Sequence, residues 1–500
     1  MGSTFMGLET SKRGLQTQQS ALYTTGHNIS NANTLGYSRQ RVNMEATGGF
    51  PGVGLNAGTM PGFLGTGVQA GSIQRIRDGF VDQQYRGESN KLGYWDTRSN
   101  AIGQIEDIMN EPSDTGLQKS LSQFWGSLQD LATHPENGGA RKVVIERGVA
   151  VADSFNYMNK SLEELKTNTG QEIGISTKQI NSILDQIAGL NEQISSIEPN
   201  GYLPNDLYDA RDVLIDKLAG FLPIETSYTK SGGNASAVAE GSVTIKVKVD
   251  GTPLTIVSGK DAAKMTLDGA SADGNPTGPI SGFKFEGKGQ ATGGDLTADI
   301  MLDKGSLSSL VNTYGSTEKT GLIPDMIGKL DKMAEAFITA FNAQHAKGYE
   351  LNSTNPGGVF FEGTGAGDIK VSEAIIKDPS KIAASSKVSE EGNGENAKLL
   401  GEIQFDDKVG LDGATIQTYF QGVIGELGVD GEQAAKMKFN SETLLISVEN
   451  RRSSISAVSL DEEMSNMIQF QQAYNASARM VTVVDETLDK IINGMGVVGR

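Results

Sequence analysis

The side chains that could do chemistry in this 500-residue chain are few, and their spacing does not favour catalysis. The three histidines, His27, His134 and His345, are too far apart in the chain to share one face of a helix turn. The chain has no cysteine, so no thiolate can complete a zinc site or act as a nucleophile. We therefore interpret the histidines as structural residues, and we predict no metal site and no cofactor.

Clusters of glycine, aspartate and serine also lack the patterns of known sites. Neither glycine cluster leads from a buried strand into a helix, and neither carries the lysine of a phosphate-binding loop. The aspartates lack the spacing of a calcium-binding loop, and the paired serines have no base nearby. These groups are Gly52, Gly54 and Gly58; Gly363, Gly365 and Gly367; Asp206, Asp209 and Asp212; Asp406 and Asp407; and Ser453 and Ser454. The sequence therefore predicts a protein that is not an enzyme.

The two ends of the chain, in contrast, carry heptad-spaced apolar stripes. A stripe of this width on a terminal helix needs another helix to bury it. We therefore predict that the two ends pair as antiparallel helices in an α-helical coiled coil, and that this pair is the assembly element. Polar residues Gln471 and Asp485 interrupt the second stripe. The first stripe is Leu8, Leu15, Leu22 and Ile29, and the second is Leu460, Met464, Met467, Tyr474, Val481, Leu488 and Ile492.

Between the ends, helical and β patterns are segregated. Apolar residues recur at sevens from about 140 to 197, which predicts one very long helix that Pro199-Asn200-Gly201 ends. Alternating residues from Val243 to Val249, followed by Asp250-Gly251, predict a strand and a hairpin. These patterns indicate an α+β, multidomain fold in which long helices form the body.

The predicted division of the chain has three parts. Residues 1–45 and 455–500 form the paired terminal helical domain. Residues 46–230 and 321–454 form a mainly helical body, a long-helix bundle with a glycine-rich connector. Residues 231–320 form an inserted β-rich outer domain. We expect the outer domain to be separable, so that a short linker in its place leaves the helices intact.

Charge and hydropathy narrow the range of partners. The net charge is −18, whereas residues 1–100 contain nine basic and six acidic residues. These basic residues are scattered and form no run, so we expect no nucleic-acid partner. No apolar segment approaches the ~20 residues that span a bilayer, and the first residues lack the features of a secretory signal. We expect no membrane partner and, if the protein is exported, a route without a cleaved signal peptide.

The segment from Asn28 to Tyr37, NISNANTLGY, resembles the turn after the first helix of flagellar axial proteins, the family of rod, hook and hook-associated proteins. The residues after it, Ser38-Arg39-Gln40, are similar to those of the hook-associated protein 1 branch. The segments Asn205–Leu214, Phe341–Gly348, Ser459–Asn475 and Gly494–Arg500 resemble that branch too. The resemblance assigns the turn motif to Asn31, Ala32, Asn33, Thr34, Gly36 and Tyr37, and we expect Gly36 to require a positive φ.

The resemblance implies a structural protein of the bacterial flagellum, outside the cell at the hook–filament junction. Family members form a homo-oligomeric ring on the distal end of the hook, between the hook protein and the next hook-associated (junction) protein. The implied route is type III export, assisted by a cytoplasmic flagellar export chaperone. The chaperone would bind the C-terminal helix at Met467, Tyr474, Val481 and Leu488.

Two alternatives remain open at this point. The first is another axial protein, such as the hook protein or the flagellin-like third hook-associated protein. The long helix counts against the former, and the asparagine-rich turn counts against the latter. The second is an exported coiled-coil adhesin or effector that binds a host surface through its β domain.

Overall fold

The computed structural model describes residues 4–50, 65–109, 116–248, 253–297 and 304–494. Helices predominate in these residues, and the strands form small antiparallel sheets, so the predicted α+β multidomain class is confirmed. The predicted Asp250-Gly251 turn and the cluster of Gly52, Gly54 and Gly58 lie outside the described residues.

The helices are named in chain order. They are α1 (Thr4–Ser30), α2 (Gly79–Met109), α3 (Leu117–Thr133), α4 (Gly138–Ile197), α5 (Asn205–Phe221), α6 (Ser306–Tyr314), α7 (Leu322–His345), α8 (Glu373–Lys377), α9 (Glu395–Glu402), α10 (Ile416–Ser456) and α11 (Leu460–Asp489). A π-helical turn, Lys490–Gly494, continues α11.

The strands are short. They are β1 (Gln40–Ala46), β2 (Val68–Arg75), β3 (Ile224–Thr229), β4 (Ser242–Val247), β5 (Leu254–Ser258), β6 (Asp261–Ala262), β7 (Lys264–Leu267), β8 (Gly282–Lys288), β9 (Ala291–Thr297), β10 (Phe361–Glu362) and β11 (Lys370–Val371).

Helix α4 is the longest element, and its 60 residues span about 90 Å. Its start is capped by Asn137, whose side-chain oxygen accepts a hydrogen bond from the Gly139 N–H at 2.8 Å. A 3₁₀ turn ends it at Glu198–Asn200, and Gly201 reverses the chain with a φ of +84°. The predicted long helix is confirmed.

The first half of α4 belongs to a helical core. This core packs α3, α7 and the end of α2 against the segment from residue 360 to residue 434. Its centre is a cluster of phenylalanine rings, in which the centroids of Phe337 and Phe361 are 4.8 Å apart. The other rings of the cluster are Phe124, Phe341 and Phe360.

The second half of α4 belongs to a separate core that it shares with the β region. One antiparallel sheet has the order β3-β4-β5-β6, and the other has the order β7-β8-β9. Buried residues from both sheets pack with α4, α5 and α6, as Ile180 and Ile187 do from α4. This sharing weighs against the expected separability, because removal of the sheets would expose apolar helix faces to water. The sheet also begins at Ile224, before the predicted boundary at residue 231.

The terminal region is organised around α1. Strands β1 and β2 form an antiparallel hairpin that packs on α1, although the sequence division placed most of this stretch in the body. Helix α10 ends at Ser456 and α11 begins at Leu460, so a three-residue break separates the body from the last helix. The described part of the terminal region therefore consists of α1, the hairpin and α11.

Candidate functional site

Helices α1 and α11 pack side by side in antiparallel orientation. A Cβ atom added to Gly7 would lie 3.8 Å from Val484 Cγ2, and one added to Gly14 would lie 3.3 Å from Ser477 Oγ. At the other end Asn28 Nδ2 donates to Glu463 Oε2 at 3.0 Å. These contacts are spaced at seven and fourteen residues on both helices, as expected for a coiled-coil register. We call α1 and α11 the terminal pair.

The face of α1 that meets α11 is made of small and polar residues. Gly7, Gly14, Ala21 and Asn28 follow one another at intervals of seven, and glycine lets the two backbones approach closely. The predicted stripe, Leu8, Leu15, Leu22 and Ile29, lies one position further on and is only partly buried. At 100° per residue this offset rotates the stripe to the flank of the contact. The residues shown in contact with α11 are therefore small, and a pairing role for the leucine stripe beside them stays a prediction.

The C-terminal stripe divides into two groups. Met467, Tyr474, Val481 and Leu488 are partly buried, on the face of α11 that also carries Glu463, Ser477 and Val484. Leu460, Met464 and Ile492 were assigned to the same face, but they are 48%, 52% and 71% exposed. Leu460 keeps the alternating gaps of three and four that continue from Glu463 to Leu488, but it is the first residue of α11 and lies where α1 ends. Met464 and Ile492 do not keep these gaps, so they point away from α1.

The terminal pair has almost no apolar core of its own. In the described part of α1 and α11, Ala21 is the one apolar residue among those that are fully buried. The other fully buried residues are Thr17, Thr24, Thr25, Asn28 and Glu463. Large apolar side chains on both helices are instead exposed to solvent, including Phe5, Tyr23, Ile468, Met480 and Val483. Burial of apolar area, the main source of stability, is therefore weak in this pair by itself.

The turn motif forms a tight loop directly after α1. Asn31 anchors it, because its carbonyl accepts the Thr34 N–H at 2.9 Å and its side-chain oxygen accepts the Thr34 hydroxyl at 3.2 Å. The Tyr37 N–H then donates to the Thr34 carbonyl. Gly36 has a φ of +80°, as expected, and a Cβ there would lie 2.1 Å from Val213 Cγ2. Ala32 is partly buried, whereas Asn33 and Thr34 are exposed.

Asn28 connects three parts of the chain through one buried side chain. Its oxygen accepts from the Gln40 N–H at 3.0 Å and from the Tyr37 hydroxyl at 2.8 Å. Its amide donates to the Gln40 carbonyl at 2.8 Å, as well as to Glu463. Four hydrogen bonds therefore tie the end of α1 to the start of β1 and to the start of α11. Arg39 reinforces this point with an Nε–Oε1 contact of 2.7 Å to Glu463.

An ionic network attaches the terminal region to the body, and we call it the joint. The Ser38 N–H and hydroxyl donate to Asp209 on α5, at 3.0 and 2.7 Å. Arg75, at the end of β2, contacts Asp209 at 2.6 Å and Asp212 at 3.0 Å. The remaining members are Arg77, Arg86, Arg452, Asp82, Asp216 and Glu240. The contacts of the joint are thus mainly polar.

Burial and neighbouring charges act differently on two carboxyls of the joint. Burial would raise the pKa of Asp212, but Arg75, Arg77 and Arg86 outweigh it and hold that pKa well below its usual range. Burial also acts on Asp209, and there it prevails over Arg75 and Ser38, so the pKa of Asp209 is raised. Burial and nearby carboxylates likewise raise the pKa of the Tyr37 hydroxyl. Asp212 therefore remains an anion that fixes the arginines around it.

No group of residues suited to hold a metal ion is present in the described part of the chain, and two of the histidines make contacts that support the fold. His345 is buried, with Nδ1 against the Gly358 carbonyl at 2.7 Å and Nε2 accepting the Ala383 N–H at 2.9 Å. Burial lowers its pKa to about 4. His27 contacts the Tyr37 hydroxyl at 2.9 Å and so supports the turn. Among the described helices, none is long and apolar enough to cross a membrane.

Comparison with known proteins identifies relatives along the whole chain. Residues 102–361 match the family described as the flagellar hook-associated protein FlgK helical domain. Residues 8–37 match the flagella basal body rod protein family, and residues 450–494 match the C-terminal family of the basal body rod FlgEFG proteins. These two terminal matches cover most of α1 and α11.

Complete relatives carry the same family name. Flagellar hook-associated protein 1 of Bacillus subtilis (strain 168) is 44% identical over all of both chains. The protein of that name from Escherichia coli (strain K12) is 24% identical over 96% of this chain and 98% of its own. A solved structure, the flagellar hook junction protein FlgK from Burkholderia pseudomallei, matches 75% of this chain and all of its own. Its TM-score is 0.61 at 14% identity, which establishes a shared fold.

Proposed function

The chain belongs to the flagellar hook-associated protein 1 family, a structural component of the flagellum at the hook–filament junction, and we propose that the terminal pair is the part that inserts into this junction. One observation carries the proposal. The pair is joined by a small-residue face, yet it leaves large apolar side chains such as Ile468 and Met480 in solvent. An apolar surface of this kind is suited to burial in an assembly.

The face of α11 opposite α1 supports a channel-lining position. Asp461, Gln472, Arg479 and Glu486 are exposed and, at 100° per residue, lie on the side away from Ser477. A polar strip of this kind suits a water-filled channel through which unfolded chains pass. We place the body and the β region on the outside, because the joint attaches them at the opposite end of α1 from its first residues.

The proposed partners follow from this arrangement. Copies of the chain form a homo-oligomeric ring that contacts the hook protein on one side and the next junction protein on the other. The protein acts outside the cell, after export without a cleaved signal, and it has no catalytic role. An export chaperone covers Met467, Tyr474, Val481 and Leu488 before the pair forms, since these residues face α1 once it has formed.

The proposal is tested by adding purified protein to isolated hooks and imaging them by electron microscopy. We expect a cap of added density at one end of each hook. The variant Val481→Asp with Leu488→Asp should form no cap, because it places two carboxylates on the α1-facing side. The matched control, Ser465→Asp with Gln472→Asp, changes exposed residues of the same helix and should cap hooks normally. Bare hooks after addition of the unaltered protein would contradict the proposal.

A further inference from the structure

The exposed apolar residues of α11 form two separate patches. The first patch, patch A, is near the start of the helix and consists of Leu460, Met464 and Ile468. The second, patch B, is near its end and consists of Met480 and Val483 together with Ile491 of the π-helical turn that follows. All six side chains are between 45% and 57% exposed, so nothing in the described chain covers them.

The two patches lie on opposite flanks of the helix. Met464 and Met480 are sixteen positions apart, so they differ by about 160° around the axis and about 24 Å along it. Each flank is apolar near one end of the helix and polar near the other. The flank of patch A continues into Thr482, Asp485 and Asp489, and the flank of patch B begins with Glu462 and Asn466. One copy therefore exposes two apolar surfaces, which lie on opposite flanks of α11 and at different positions along its axis.

Charges beside the patches are complementary. Asp461 adjoins patch A, whereas Arg479 and Lys490 adjoin patch B and outnumber Glu486. Within the described chain none of Asp461, Arg479 and Lys490 takes part in an ion pair. Glu462, which lies on the other flank at the height of patch A, is already paired with Arg39 at 2.7 Å. The free acid and the free bases are therefore available to a partner.

We propose that patch A of one copy packs against patch B of the next copy, with the two α11 helices displaced by about 24 Å along their axes. This inference rests on the proposed assembly function. It adds which patches touch between copies and how far the two α11 helices are displaced. A contact between two different patches is heterologous, so it leaves both outer patches free for further copies. The displacement means that neighbouring copies in the ring are offset from one another along its axis.

Engineered disulfides test this pairing directly, because the chain contains no cysteine of its own. The variant Met464→Cys with Met480→Cys is assembled on isolated hooks, oxidised and separated on a non-reducing gel. Bridging requires Cα atoms within about 7 Å, so only residues in contact react. We expect a ladder of dimers, trimers and larger products, since each copy uses both patches. If the first variant does not cap hooks, the same experiment is done with a second variant, Met464→Cys with Val483→Cys.

The controls separate this inference from the proposed function. Met464→Cys alone and Met480→Cys alone should give no dimer, and Met464→Cys with Thr482→Cys, both on one flank, should give no ladder. Dimers from a single-cysteine variant would indicate a two-fold contact and overturn the heterologous pairing. If the double variants cap hooks but give no ladder, the pairing is wrong while the proposed function stands. If the unaltered protein does not cap hooks, the proposed function itself fails.

Discussion

The hydrogen bonds of Asn28 allow one isosteric change to test whether the terminal pair forms in the assembly. Asn28→Asp keeps the shape of the side chain but removes its two donated bonds, to the Gln40 carbonyl and to Glu463. Each lost bond costs about 1 kcal/mol, and the new carboxylate lies against Glu463 at 3.0 Å. At an effective dielectric of about 20, that repulsion approaches ~5 kcal/mol before Arg39 and relaxation reduce it.

We expect a net loss of about 3–5 kcal/mol in the folded terminal pair. If folding of the pair is coupled to binding, binding to hooks weakens by the same free energy, which is about 100-fold or more in Kd. Cosedimentation with isolated hooks over a range of protein concentrations measures this change. Asn33→Asp is the matched control, because it makes the same substitution at an exposed residue of the same motif and should leave binding unchanged.

A second substitution decides whether Glu463 is the cause. In Asn28→Asp with Glu463→Gln, the introduced glutamine amide can donate to the introduced carboxylate, so the repulsion becomes a hydrogen bond. Glu463→Gln alone loses its charge pair with Arg39 and should weaken binding about 10-fold. The double variant should bind within about 5-fold of this single variant, because only the bond to the Gln40 carbonyl remains lost, and this corresponds to a coupling of about 2–4 kcal/mol. Unaltered binding by Asn28→Asp, or no recovery in the double variant, would refute the role given to this contact.

Three further predictions concern the turn, the β region and the body. Gly36→Val should destabilise the turn by about 3 kcal/mol, because φ is +80° there and the added Cβ would meet Val213. The variant should cap fewer hooks, while the circular dichroism of the body stays unchanged. Normal capping by this variant would contradict the prediction. Replacing residues 231–297 with a Gly/Ser linker should lower the helical circular dichroism signal, since Ile180 and Ile187 would become exposed to water. An unchanged spectrum would show that the β region is a separable domain. The free energy of unfolding should fall by about 3 kcal/mol as the pH drops from 6.5 to 4, because unfolded His345 takes up a proton at pH 6.5 and folded His345 only near pH 4. Urea titrations should show this loss reduced in His345→Gln, and an equal loss in that variant would assign the effect to other groups.

Periodic sequence patterns predict the structure correctly where it depends on local sequence. The long helix from Gly138 to Ile197 and the alternation in β4 both follow from spacing alone, because one face of each element is buried. The positive φ of Gly36 was likewise recognisable, since the motif places glycine in a tight turn. These features need no knowledge of distant contacts.

Other features depend on partners that a pattern cannot identify. Gly422, Gly425, Gly428 and Gly431 obscure the helical period in the first 25 residues of α10, so the sequence alone does not indicate that this helix begins at Ile416. The small-residue face of α1 is less conspicuous in the sequence than the leucine stripe beside it, although Gly7, Gly14, Ala21 and Asn28 also recur at sevens. The joint has no recognisable sequence pattern, since Arg75 and Asp212 are distant in sequence and meet only in the fold.

The central claim, that the terminal pair is the assembly element, is tested most directly by hydrogen exchange on the free protein and on protein bound to hooks. The pair has little apolar core, so residues 5–30 and 464–494 should exchange rapidly in the free monomer. The same residues should become strongly protected on hooks, when patches A and B and the rest of the apolar surface are buried, while residues 138–197 stay protected throughout. Strong protection of both ends without hooks, or no gain of protection on binding, would contradict the account.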